Sequence, residues 1–124
     1  MNLNEYLMSQ RDESDPKVRD DYLFPLAKRI VCEDGFSLSV QAMRFAYCSP
    51  RTNMGPWYEV EVGFPSGVPT EILSYAEQPE CPTQTVYGYV PIEFVESLIA
   101  AHGGMKANAA LTGATDSTTG NGAA

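Results

Sequence analysis

Apolar and polar positions alternate with a period of two along Trp57-Tyr58-Glu59-Val60-Glu61-Val62-Gly63-Phe64, which predicts an extended strand. Its β-branched and aromatic residues suit a half-buried pleated surface. Tyr58, Val60, Val62 and Phe64 form one predicted face and need a core. Trp57, Glu59, Glu61 and Gly63 form the other. There the two carboxylates stand about 7 Å apart beside the indole, given roughly 3.4 Å of rise per residue.

A second alternating run places Phe36, Leu38, Val40 and Ala42 on one side and Ser37, Ser39 and Gln41 on the other. The apolar segment Arg29-Ile30-Val31-Cys32 precedes it across Glu33-Asp34-Gly35, and Asp-Gly between two such runs predicts a hairpin. Residues 85–90 form a further strand, with Val86, Gly88 and Val90 on one face and Tyr87 and Tyr89 on the other. Either of those faces can bury area.

The period then changes. Ile92, Phe94, Val95, Leu98 and Ile99 fill an arc of about 160° on a helical wheel, with Glu93, Glu96 and Ala100 opposite. This predicts a helix over 91–101, with Pro91 at its first position and His102-Gly103-Gly104 ending it. At the other end of the chain, Leu3, Leu7 and Met8 predict a short helix capped by Asn2 or Asn4. Asp15-Pro16 opens a turn or a second helix, along which Val18, Tyr22, Leu23 and Leu26 share a stripe that Pro25 limits. Residues 48–56 and the long connection 65–84 read as loop, the latter with one or two helical turns at 70–76.

The fold class expected is therefore α+β: a small antiparallel sheet of three to five strands, a C-terminal helix on one face and short N-terminal helices. Residues 1–28 form an N-terminal helical segment, 29–104 the body, and 105–124 a tail of Ala, Gly, Thr, Asn and Ser too poor in apolar surface to offset its ordering entropy. The expected core is Ile30 or Val31, Phe36, Leu38, Val40, Tyr58, Val60, Val62, Val95, Leu98 and Ile99.

Charge changes the picture more than composition does. The chain of 124 residues carries a formal net charge of −8. Residues 1–51 hold eight acids against seven bases, whereas 52–105 hold seven glutamates and no Lys or Arg. Such a surface repels nucleic-acid phosphates and anionic membranes. Its acids either keep a small protein soluble or offer a docking face to a basic partner. No apolar run approaches the length of a membrane span. Three cysteines cannot all pair within one chain, and no secretory signal opens it, so reduced thiols in a cytosol are expected.

Candidate chemistry is sparse. His102, the one histidine, is explained by its place at a helix C-terminus. The cysteines are scattered singly, with no Cys-x-x-Cys and no His pair, so neither a metal nor a cofactor is expected. The phosphate-loop, dinucleotide and nucleophile-elbow motifs are missing. In Cys48-Ser49-Pro50-Arg51 the arginine would lower the thiol pKa, although a structural loop accounts for the same residues. Glu59 and Glu61 would serve as an acid–base pair or, more simply, lie solvated on a strand. With Trp57 they also make a binding patch, since aromatic side chains anchor interfaces and flanking charge selects partners.

The segments Val31 to Ala42, Tyr47 to Arg51, Gly55 to Gly63 and Tyr87 to Pro91 resemble those of a group of small uncharacterised proteins encoded by tailed bacteriophages and prophages. The resemblance spans residues 29–104. It implies a phage-encoded protein acting in the bacterial host cytoplasm and brings no catalytic residue with it. Small acidic phage proteins without enzyme motifs are often inhibitors of host defence, anti-CRISPR proteins among them, which implies a non-enzymatic inhibitor of a basic, nucleic-acid-binding host complex. The contacts expected for a basic host protein or ribonucleoprotein are Trp57, Glu59, Glu61, Tyr87, Tyr89, Glu93 and Glu96, with no direct binding of nucleic acid or membrane. A virion structural or assembly protein, or a homodimer burying the aromatic strand face, is the main rival. A small enzyme using Cys48 or the glutamate pair is the weaker one.

Overall fold

A computed structural model describes residues 2–22 and 25–106. Leu23 of the N-terminal stripe, and the expected tail from 107 onward, lie outside the described residues. The elements run α1 (Leu3–Ser9), α2 (Pro16–Arg19), β1 (Ile30–Val31), β2 (Ser37–Gln41), β3 (Glu59–Gly63), a 3₁₀ segment (Thr70–Tyr75), β4 (Val86–Pro91) and α3 (Ile92–Ala101). The four strands form one antiparallel sheet in chain order. The fold is the α+β arrangement expected.

Local chemistry explains most of these elements. Asn2 accepts from the Glu5 amide while Glu5 accepts from the Asn2 amide, closing a reciprocal cap on α1. Asp15 caps α2, with Pro16 in its first turn. That helix is shorter than the apolar stripe suggests, because Asp21 takes φ 65° and turns the chain away; Tyr22 and Leu26 are consequently exposed. Between β1 and β2, Gly35 adopts φ 95° and its amide donates to the Cys32 carbonyl. This is the turn with a left-handed last residue that a short hairpin loop requires.

Helix α3 ends in a Schellman motif, the Gly104 amide donating to the Ile99 carbonyl and Gly103 to Ala100. Pro91 is its N-cap and not its first residue. The helix end is fastened to the hairpin turn: the carbonyls of His102 and Gly104 accept from the amides of Asp34 and Glu33. The His102 ring stacks on Phe36 at 3.9 Å between centroids, and its Nδ1 lies 2.7 Å from the Asp34 carboxylate. Met105 and Lys106 continue beside β1, bridging Cys32 and donating to the Val31 carbonyl.

One hydrophobic core joins Leu3, Tyr6 and Leu7 of α1 to Leu38, Val40, Val60, Val62, Tyr87 and Val90 of the sheet and to Val95, Leu98 and Ile99 of α3. Of the residues expected inside, Tyr58 is the exception. It is 70% exposed, whereas Trp57 is 1% exposed. The reason is a bulge at the start of β3. The amides of Tyr58 and Glu59 both point to the Ser49 carbonyl, and the Ser49 amide donates to the Glu59 carbonyl. Two residues oppose one, so the alternation slips and Trp57 turns inward with Val60. Phe64, expected on the core face, is also exposed, with φ 48° at the strand's end.

A second bulge lies in β4. Val60 pairs with Val90 and Val62 with Tyr87, so Gly88 and Tyr89 together oppose Glu61. Tyr87 and Val90 therefore share the core face despite their odd spacing, and Tyr89, at φ 53°, is turned out.

Candidate functional site

The outward side of β3 carries Glu59 and Glu61, both half-buried. Residues 43–50 fold over this side, and the carboxylates hold them there. Glu61 Oε1 accepts from the Tyr47 amide at 2.8 Å, and Glu59 Oε1 accepts from the Ser49 hydroxyl at 3.0 Å. The β4 bulge supplies the third tie, the Tyr89 amide donating to the Tyr47 carbonyl at 2.9 Å. Gly88 makes the approach feasible, because a Cβ there would stand 3.2 Å from the Tyr47 Cβ. The result is a tilted pair of rings, Tyr47 and Tyr89, 6.0 Å apart and about two-fifths exposed. Exposed Tyr58 immediately precedes β3, next to Glu59.

Several expected contacts are corrected. Trp57 cannot meet a partner: its Nε1–H donates to the Thr52 carbonyl, and its backbone is bracketed by the Asn4 amide side chain. Tyr87 is buried, its hydroxyl bonded to the Pro82 carbonyl. Glu96 accepts from the Leu3 amide at 3.0 Å, anchoring the N-terminus of α1 where an acid is favoured. Glu93 is exposed on α3. Glu59, Glu61 and Tyr89 come together on the outward side of β3 and β4, where Tyr47 and Tyr58 join them, and Glu93 stays available on α3. Neither newcomer carried a readable signal, since one depends on the loop fold and the other on a bulge.

The trapped indole has an unexpected neighbour. Arg11, in a segment that reads as polar loop, is buried with its guanidinium carbon 5.0 Å from the Trp57 ring centroid. It donates to the carbonyls of Ala42, Asn53 and Pro25, and its Nε is buried without a partner. Burial lowers its pKa from the ordinary value, opposed by Cys48. The arrangement is a cation held by ring and backbone dipoles.

The thiol chemistry weighed from sequence is not assembled. Cys48 is buried, its Sγ bonded to the carbonyls of Met43 and Pro50 rather than to a histidine. Burial pushes its pKa up, against the smaller lowering by Arg51. Cys32 is pushed up to about 11 by burial and by Asp34. His102 is engaged with Asp34 and Phe36 at the hairpin. Among the described residues no group of three or more His, Cys, Asp and Glu could hold a metal ion. No helix among them is long and apolar enough to cross a membrane.

Compared with family models, curated proteins and solved structures, the chain matches none. Function must therefore be read from the tyrosine–glutamate face itself.

Proposed function

We propose that this chain is a phage-encoded acidic binding protein that acts in the host cytoplasm and inhibits a basic, nucleic-acid-binding host complex without catalysing a reaction. The observation that carries the reading is the outward side of β3 and β4. Exposed Tyr58 and Tyr89 accompany Glu59 and Glu61 in the stretch 52–105, which has no Lys or Arg, and exposed Tyr47 joins them from the 43–50 loop. Exposed aromatic side chains supply contact area, and uncompensated acids select a cationic partner while rejecting nucleic acid. The two bulges and the 43–50 loop hold the face in place, which lowers the ordering cost of binding.

Self-association through the same face is the competing reading. Two copies meeting there would oppose the Glu59 and Glu61 carboxylates of one to those of the other, neither of which has an ion-pair partner among the described residues. A partner of opposite charge meets no such penalty.

The test is capture of the host complex on immobilised protein, followed by measurement of the nucleic acid it retains. Expected are salt-sensitive capture and loss of RNA or DNA from the captured complex. Lysine is unsuited to the control, since it would sever the ties to Tyr47 and Ser49. The pair Glu59→Gln and Glu61→Gln keeps an acceptor oxygen at each tie and removes the charge. Equal capture by this variant at low salt, or a solution mass showing a dimer closed over Tyr58, rejects the reading.

A further inference from the structure

We infer that the tyrosine–glutamate face is built for arginine rather than lysine, its occupant being an arginine-bearing segment of a protein partner. This rests on the proposed binding role and names the chemistry of what is bound. Among the described residues neither Glu59 nor Glu61 has an ion-pair partner, and each spends only one carboxylate oxygen on the loop tie. Among the described residues the second oxygen of each has no hydrogen bond.

A partner must therefore offer several donors to acceptors already fixed in place, beside exposed ring faces. A guanidinium does both, with five N–H donors in a planar fork that also stacks on aromatic faces. An ammonium supplies a compact charge that is more strongly hydrated and has no plane to stack. The Tyr47 and Tyr89 rings, 6.0 Å apart and tilted by 31°, leave parts of their faces in solvent. The same chain already seats guanidinium groups on aromatic rings, Arg11 over Trp57 and Arg44 over Phe45 at 5.0 and 5.3 Å.

The experiment titrates the isotope-labelled full chain with capped oligo-arginine and oligo-lysine peptides of equal length, following backbone amide resonances at low ionic strength. Oligo-arginine should shift the amides of Tyr47, Tyr58, Glu59, Glu61 and Tyr89. It should bind about three- to tenfold tighter than oligo-lysine, the gain expected from one or two exposed cation–π contacts. Tyr58→Ser combined with Tyr89→Asn should abolish the preference while leaving oligo-lysine binding in place; asparagine tolerates the left-handed backbone at position 89. Equal affinity of the two peptides at this face, or an arginine preference mapping elsewhere while oligo-lysine still moves these amides, overturns the inference and leaves the acidic binding role standing. If neither peptide moves these amides, the binding role falls with it.

Discussion

Trp57 is the side chain whose loss would be felt furthest. It fills the core between the α1 end and the 43–56 loops, donates to Thr52, lies against Arg11, and leaves no room for a side chain at position 55. A Cβ on Gly55 would come within 2.8 Å of the indole. Trp57→Ala should destabilise the fold by about 3–5 kcal/mol, the usual cost of deleting a buried aromatic, and Trp57→Phe by less; chemical denaturation measures both. The cysteines give a second expectation. Cys32 and Cys48 are buried and Cys81 is exposed, all three as free thiols. A thiol reagent should modify one cysteine quickly and the other two only on unfolding, and the Cys81→Ser variant should lack the fast phase. Three fast thiols would contradict the burial.

The junction of α3 with the β1–β2 hairpin makes the expectation at the scale of elements. The Asp34 carboxylate is held below its usual range first by the Phe36 amide and then by the His102 ring. A carboxyl lowered in the folded state contributes stability that is full above its ordinary pKa, about 4, and is lost as pH falls through the lowered value. The melting temperature of Asp34→Ala should therefore lie below that of the native chain at neutral pH, and the two should converge in strong acid. A gap that is unchanged down to the lowest pH tolerated would show that the carboxylate's charge is not what matters. Because the group is exposed, the effect should be modest.

For the molecule as a whole, the decisive expectation concerns charge. Residues 52–105 contain no Lys or Arg, and Lys106, the next base, sits beside β1 at the far side of the sheet from β4. Binding to a cationic partner through the β3–β4 face should weaken steeply between low and physiological ionic strength, as screening shortens the range of the field. Glu59→Gln with Glu61→Gln should flatten that dependence, measured as affinity against salt. Glu93→Gln, on the exposed side of α3, should change it less. A slope insensitive to the strand pair but sensitive to Glu93 would move the binding face to the helix.

Local chemistry is what could be read in the chain. The Asp34-Gly35 turn, the alternation of Ser37 to Gln41, the apolar arc of Val95, Leu98 and Ile99 and the glycines after His102 each depend on neighbours a few residues away, and each appears where the periodicity puts it. The two bulges could not be read. Whether Trp57 or Tyr58 turns inward is decided by the Ser49 carbonyl accepting two amides, and whether Tyr87 joins Val90 inside is decided by its pairing with Val62. Arg11 likewise becomes a core residue only because Trp57 and the carbonyls of Pro25, Ala42 and Asn53 surround it. In a strand, one residue's slip exchanges the faces, and that slip is set by a partner distant in sequence. The elements were therefore written locally, while the tertiary contacts chose which side chains face the world.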